Sequence, residues 1–419
     1  MIPYREALES IQEIALAKRK FLTTEKVSLL KSVSKISSRS VRSEEQIPSF
    51  DNSAMDGFAL RSSQTLSASE AHPLNFEVLG SLAAGDQSVG KSSASLITAY
   101  EIMTGGPIPE SYDCCVKIED CEVVKNLRGD ALSIRIRAPL APKTNLREAG
   151  HDFKIGSVIL NPGDSIMPEH VLALSSLGIN ELEIYSPIRI ALIATGKELV
   201  RFEETPKPWQ IRNSTQPYLQ LALDSWPATI EKFLLSDDSK DEFKNLVRTL
   251  SEKKFDLIIT TGAVSMGQFD FVAEALNELK AKTHFHKVAI RPGKPILFAE
   301  LGQTTIFSLP GNPVSSVVGF RFFIESFLQT LFSKSKEKPM RAQLQKDLEK
   351  PKGLKLFLKA RLDLTDMVPK VEILEGQMSS MVSSLLEANS WVVLDEEISS
   401  LKNQDFVNVF TLHSQGFVA

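Results

Sequence analysis

Phe255-Asp256-Leu257-Ile258-Ile259-Thr260-Thr261 runs into Gly262-Ala263-Val264-Ser265-Met266-Gly267 and then reaches an acid, Asp270. The pattern returns twice. Val288-Ala289-Ile290 ends in Arg291-Pro292-Gly293-Lys294-Pro295, and Thr305-Ile306-Phe307-Ser308-Leu309 ends in Pro310-Gly311-Asn312-Pro313-Val314-Ser315. A short apolar run bounded by Gly and Pro predicts a buried strand. In open α/β sheets, ligands sit beyond the carboxyl ends of the strands. Residues 255–315 therefore read as one ligand-binding edge built from three loops.

The same pattern extends upstream. Ile188-Arg189-Ile190-Ala191-Leu192-Ile193-Ala194-Thr195 is a near-continuous apolar strand of the kind parallel sheets use, and it ends at Gly196-Lys197-Glu198-Leu199. Gln210-Ile211-Arg212-Asn213-Ser214-Thr215 leads into a helix through Leu223. The next strand, Thr229-Ile230-Glu231-Lys232-Phe233-Leu234-Leu235, ends in Ser236-Asp237-Asp238, and a helix is predicted over 241–253. Strands alternating with helices imply βαβ units and a doubly wound parallel sheet, so the fold class is α/β plus β-rich domains. After Val317 an apolar helix runs to Phe332. A charged linker, Ser333-Lys334-Ser335-Lys336-Glu337-Lys338-Pro339, then introduces a strand-rich C-terminal domain, read as a small β-barrel.

Before the sheet the texture differs. Ala7, Leu8, Ile11, Ile14, Ala15 and Leu16 recur at helical spacing and predict an amphipathic first helix that packs on a later domain. Pro48-Ser49-Phe50-Asp51-Asn52-Ser53-Ala54-Met55-Asp56-Gly57 is a loop, either a surface turn entering a strand or a platform presenting Asp56 as metal ligand or base. Short period-two runs between 76 and 140 predict an inserted β-rich module. Arg147 and Asp152 lie in the polar loop that follows; they could bind an anion and a metal, or pair with each other.

Composition sets the outer limits. The chain has 419 residues, enough for several domains, with 42% hydrophobic and 24% charged residues and a formal net charge of −4. No global basic field favours nucleic acid. No apolar run approaches the ~18 residues of a membrane span, and the N-terminus lacks a signal peptide's order. Cys114, Cys115 and Cys121 form no disulfide framework, which predicts a reducing cytoplasm. A zinc site on that trio is disfavoured because other metal-type residues lie far off in sequence.

The strand ends carry the chemistry. Thr195-Gly196 and Thr261-Gly262 are similar turns at which a ligand can approach the backbone. Neither is a Walker pattern, and a dinucleotide-binding glycine fingerprint is absent. Glu198, Asp237, Asp238 and Asp270 fall at separate strand ends. They read either as helix caps or as carboxylates that converge on Mg²⁺ beside a phosphate. Arg291 and Lys294 flank a rigid Pro-Gly, as suits an oxyanion, though a solvated turn would look the same. The loop 310–315 has two prolines and a glycine and opens a helix whose N–H groups are expected to point outward. His284 and His286 read as packing or surface residues.

Several of these motifs, in order, resemble one family. Pro48 to Gly57, Ile102-Met103-Thr104-Gly105, Thr261-Gly262 with Val264-Ser265, Pro292-Gly293-Lys294-Pro295 and Leu309-Pro310-Gly311-Asn312-Pro313-Val314-Ser315 look like molybdopterin molybdenumtransferases, the MoeA family that includes the gephyrin E domain. The resemblance covers nearly the whole chain, through Gly376-Gln377 and Ala388-Asn389. It implies four-domain subunits in an elongated homodimer: 18–43 with 153–185 as a linking and dimerisation domain, 44–152 as the β-rich insertion, 1–17 with 186–332 as the molybdopterin-binding domain and 339–419 as the barrel. The implied reaction inserts molybdenum from molybdate into adenylylated molybdopterin with release of AMP, assisted by Mg²⁺. Asp56, Thr104, Asp152, Glu198, Asp237 and Asp270 match catalytic positions, the last three acids also metal positions. Gly196, Gly262, Ser265, Lys287, Arg291, Lys294, Pro310, Asn312 and Ser315 match substrate-binding positions. Molybdopterin adenylyltransferase and molybdoenzymes are the implied physical partners, with no nucleic acid and no membrane. A scaffold that has lost turnover and an adenylyltransferase are the alternatives. The chain departs from the family at Lys197, where an acid is common, and at Ala263, where glycine is common. Ala263 removes backbone freedom if that position needs positive φ.

Overall fold

The computed structural model describes residues 1–89, 97–235, 239–263 and 271–414. The chain divides into two compact units. One comprises Met1–Arg39, Asn161–Met167 and Glu181–Ala419; the other comprises Ser40–Leu160 and Pro168–Asn180.

The first unit is built on a six-stranded sheet. Its order is Ala228–Leu235, Ile188–Thr195, Leu257–Thr261, Thr304–Leu309, Leu297–Leu301 and Lys282–His286. The first four strands are parallel. Burial on both faces explains the apolar composition of the three inner ones, Ile188–Thr195, Leu257–Thr261 and Thr304–Leu309, whereas the edge strand Ala228–Leu235 exposes Thr229, Glu231 and Lys232. Along Ile188–Thr195, Ile190 and Leu192 face one core with Leu257, Ile259 and Phe307, while Ala191 and Ile193 face another with Phe243, Val247 and Leu250. Period-two alternation thus feeds a helical layer on each side.

The last two strands correct one reading of the sequence. Val288-Ala289-Ile290 is no strand of this sheet. Lys282–His286 and Leu297–Leu301 form an antiparallel edge, and Ile290–Arg291 instead pairs with Lys355 and Leu356 of the C-terminal domain. The apolar run is buried because it joins two domains: Val288, Ala289 and Ile290 are all buried. His284 lies on the edge strand and is bonded to Glu300 at 2.8 Å.

The first helix, Tyr4–Arg19, buries Ala7, Ile11 and Ala15, and it lies against the helix Glu325–Leu331. Gln12 Nε2 donates to Ser326 Oγ at 3.2 Å. The helical run from Pro313 to Leu331 has a π-helical turn at Phe320–Ile324, where one extra residue enters the turn. Beyond it, Met340–Leu344, Lys355–Asp363, Lys370–Ile373, Ser390–Leu394 and Phe406–Thr411 close into a five-stranded barrel. Phe322 of the π-turn meets Phe357 and Trp391 of the barrel, so the two domains share a core.

The second unit holds a six-stranded sheet in the order Cys114–Lys117, Gly57–Leu60, Thr98–Ile102, Leu74–Leu82, Ala131–Ile136 and Cys121–Lys125. All three cysteines are free thiols, two of them buried. No helix among the described residues is long and apolar enough to cross a membrane.

One buried charge cluster gives the first unit a measurable pH signature. The Arg321 guanidinium meets both Glu325 and Glu337 and donates to the Thr411 carbonyl. Burial pushes the Glu325 carboxyl up to about 7, and the Arg321 charge offsets only part of that. Folding therefore raises this pKa above its unfolded value, so the folded state holds the proton where the unfolded chain releases it. The stabilisation is complete below about pH 4.5 and disappears as pH rises through about 7. Urea midpoints of the native protein minus those of Glu325→Gln should fall across that window; a difference flat with pH would contradict the assignment.

Candidate functional site

A parallel sheet sets its strand ends side by side, and here they are locked together. Thr195 Oγ1 donates to the Thr261 carbonyl at 3.2 Å, the Gly262 N–H to Leu309 O at 3.2 Å, and the Gly196 N–H to Leu235 O at 3.2 Å. The antiparallel strand Leu297–Leu301 begins opposite Ser308, near the carboxyl end of its neighbour. The loop 291–295 therefore joins the same edge although its strand runs the other way.

Gly262 is required there twice. Its φ is +93°, and a Cβ at that position would lie 2.2 Å from the Thr195 carbonyl oxygen. Ala263 follows at φ +47°, in the left-handed region where an L side chain carries strain.

These loops wall a cleft of about 1120 Å³ within the first unit. Gly196, Glu198, Gly262, Arg291, Lys294, Pro310, Asn312 and Ser315 all line it. Lys287 is not among the described lining residues. It sits in the turn after the edge strand at φ +74°, its N–H donating to Ile296 O and its carbonyl accepting from Ile2. Asp237, Ser265 and Asp270 lie outside the described residues.

The loop 310–315 differs from expectation in its donors. Pro313 is the first helical residue, the Val314 N–H donates to Ser379 O at 3.0 Å, and the Ser316 N–H to Asn312 O at 3.1 Å. Ser316 Oγ also donates to Pro310 O at 2.6 Å. One orphan first-turn donor, the Val314 N–H, is thus spent on the neighbouring loop rather than pointing outward, while the Ser316 N–H makes the helix's first internal bond.

The neighbour is the barrel. Leu354, Gln377, Met378, Ser379 and Ser380 form the far wall of the cleft. Lys359 holds that wall: it is buried, and its Nζ donates to Gly376 O, Met381 O and Ser384 Oγ at 2.6–3.0 Å. Burial pushes its pKa down. Gln377 exchanges bonds with both the N–H and the carbonyl of Lys359. Sequence reasoning missed this wall because nothing local marks it; a tertiary hydrogen bond brings it in. It also passed over 211–215 as a mere approach to a helix. The polar run Arg212-Asn213-Ser214-Thr215 lines the cleft because Ile211–Arg212 pairs with Leu199–Val200 beside the Gly196 turn, a tertiary pairing that nothing local marks.

Charge distinguishes this cleft. Its described lining includes Lys197, Arg212, Arg291 and Lys294 against one carboxylate, Glu198. A cationic cleft of this size suits a ligand with more than one anionic group. Among the described residues, no group of three or more His, Cys, Asp or Glu side chains could hold a metal ion.

The second unit brings together two other predicted residues. The Thr104 N–H and hydroxyl both donate to Asp56 Oδ1, at 2.7 and 2.8 Å. The backbone bond first, then the hydroxyl, holds the Asp56 carboxyl below the usual value. Asp152 is exposed in the same unit, its N–H bonded to Ile47 O.

Fold and cleft together define a multidomain α/β protein with a cationic cleft at the strand edge, a β-rich insertion and a C-terminal barrel. Residues 191–330 match the family described as a probable molybdopterin binding domain, 2–178 the MoeA N-terminal region (domain I and II) and 341–412 the MoeA C-terminal region (domain IV). Molybdopterin molybdenumtransferase of Synechococcus elongatus is 35% identical over 376 residues, covering 89% of this chain and 91% of that protein. The Bacillus subtilis protein of the same name is 31% identical, with 88% and 86% covered. The crystal structure of the MoeA protein from Pyrococcus horikosii aligns with a TM-score of 0.79 at 26% identity, covering 98% of this chain and 99% of that one. The chain belongs to the MoeA family of molybdopterin molybdenumtransferases.

The two residues at the tightest point make opposite predictions. Gly262→Ala should destabilise the protein by about 2–4 kcal/mol, through a forbidden contact and a strained φ. Ala263→Gly should stabilise it by roughly 1 kcal/mol by relieving left-handed strain. Urea denaturation of both variants checks the pair.

Proposed function

We propose that the protein inserts molybdenum from molybdate into adenylylated molybdopterin, releasing AMP. The observation that carries this reading is the cationic cleft at the carboxyl edge of a domain of the molybdopterin-binding family. Arg291 and Lys294 stand on a loop fixed at Gly293 and offer charge-assisted donors to a tetrahedral oxyanion. The barrel wall closes the opposite side and limits water. The protein's share is positioning and charge compensation, not covalent chemistry. The dithiolene thiols replace oxide ligands of molybdate, their protons leaving with the oxide as water, and a second water adds to the phosphoric anhydride as AMP leaves.

Asp56 suits a role as a permanent carboxylate in this scheme. Two donors from Thr104 favour its charged form, so it is a weak base and a good acceptor for orienting water. Magnesium fits the donor chemistry of the cleft. Mg²⁺ is held by one or two carboxylates together with substrate phosphates, and Glu198 is an exposed oxygen donor in the cleft. Asp237 and Asp270 join it in this reading on the strength of sequence. When bound, the ion would neutralise charge on the anhydride.

A homodimer belongs to the same reading. Ile155, Val158 and Leu172 leave apolar surface exposed on the second unit, as a dimer contact would require. A cytoplasmic location fits the free thiols.

Incubation with adenylylated molybdopterin, molybdate and Mg²⁺ should give AMP release that depends on molybdate. Binding without release would favour a scaffold instead, and adenylylation of free molybdopterin from ATP a different transferase. Subunit sharing has its own test. Asp56→Asn and Lys294→Met should each be nearly inactive. If Asp56 serves the partner's cleft, co-expressed variants should recover roughly a quarter of native activity, because half the dimers are mixed and each of these has one intact site. No recovery would confine Asp56 to its own subunit's site or to none.

A further inference from the structure

The four cations of the cleft fall into two groups. Arg291 and Lys294 precede the strand Leu297–Leu301. Lys197 and Arg212 belong to the turn after Ile188–Thr195 and to the short strand paired with it, Leu199 opposite Ile211 and Val200 opposite Arg212. Between Ile188–Thr195 and Leu297–Leu301 the sheet interposes Leu257–Thr261 and Thr304–Leu309. The strands that these groups flank lie three strand spacings apart, about 14 Å. A single tetrahedral oxyanion is far smaller than that separation.

The outer group is held in place by its own bonds. The Ile211 N–H donates to Glu198 O at 2.8 Å and the Asn213 N–H to Val200 O at 2.9 Å. Arg212 Nε donates to Glu204 O at 3.1 Å, which anchors one edge of the guanidinium. Its remaining donors take no partner among the described residues. The Glu198 carboxyl folds back over Gly196, with its oxygens 2.8 and 2.9 Å from where a Cβ would stand. Two cations and one carboxylate therefore line this end of the cleft, beside the glycine turn at Gly196.

We propose that Lys197 and Arg212 form a phosphate-monoester subsite at the opposite end of the cleft from Arg291 and Lys294, so that two anionic groups are held at once. The inference rests on the reading above, which makes the substrate an adenylate, and it says where that phosphate goes. Each end then recognises its own anion: a phosphate carrying a nucleoside at one end, a free oxyanion at the other. AMP leaves from the Arg212 end without crossing the oxyanion end.

Equilibrium binding of AMP, inorganic phosphate and molybdate to the full-length protein tests this without turnover. Arg212→Met and Lys197→Met should each weaken AMP about tenfold, the scale of losing one charge-assisted bond. Molybdate affinity should stay within about twofold. Lys294→Met should show the reverse, and Arg212→Lys should retain most AMP affinity, a rescue that a purely structural role would not give. Inorganic phosphate should compete with AMP, which separates a phosphate site from a nucleoside site. Thermal melts check that each variant is folded. Equal AMP affinity in Arg212→Met and the native protein would overturn the proposal, as would parallel loss of AMP and molybdate, or no AMP binding at all. If molybdate-dependent AMP release fails while the split in affinities holds, the subsite stands and the assigned reaction falls.

Discussion

Parallel hydrogen bonding between Ile188–Thr195, Leu257–Thr261 and Thr304–Leu309 is the constraint on which the site depends. With Ala194 opposite Thr261 and Thr261 opposite Leu309, three chains leave the sheet at one level. There is no room between them for ordinary side chains, so Gly262 occupies the tightest point. A groove floored by backbone follows from this, and charge can be added to it only from loops at the two flanks. That is where Lys197 and Arg212 stand on one side and Arg291 and Lys294 on the other.

The second wall depends on a different kind of interaction. Lys359 is a buried ammonium whose three donors all end on one loop of the barrel. A buried charge is tolerable when its hydrogen bonds are satisfied, and here the satisfaction shapes the loop that faces the substrate edge. The Val314 N–H bond to Ser379 ties that loop to the helix leaving the sheet. Further along, Phe322 packs against Phe357 and Trp391. One continuous helical run therefore touches the cleft at its start and the barrel core at its π-turn.

Much of this was legible in the sequence where the signal was local. The inner parallel strands showed as apolar runs ending in a Gly-bearing turn, because burial on both faces removes polar alternation. At position 263 only the resemblance to the family pointed to a glycine-type position, and the structure finds Ala263 at φ +47°. Val288-Ala289-Ile290 misled for a physical reason: burial against another domain looks the same in composition as burial in a sheet. The Gln377 to Ser380 wall was illegible because its place is set by Lys359 and Val314, the latter far off along the chain. Asp237, Ser265 and Asp270 remain readings from sequence alone.

The first helix has a consequence for how the chain matures. Tyr4–Arg19 packs against Glu325–Leu331, and Arg19 donates to the Thr330 carbonyl. Thr24–Ser28 completes its ladder only with Glu181–Tyr185. During synthesis the N-terminal segment therefore emerges hundreds of residues before its partner exists, with Ile11 and Ala15 uncovered. The unit of Ser40–Leu160 and Pro168–Asn180 has its strands close together in sequence and can finish first. The nascent chain thus has an early-closing middle and an N-terminal helix whose apolar face stays uncovered until Glu325–Leu331 has been made.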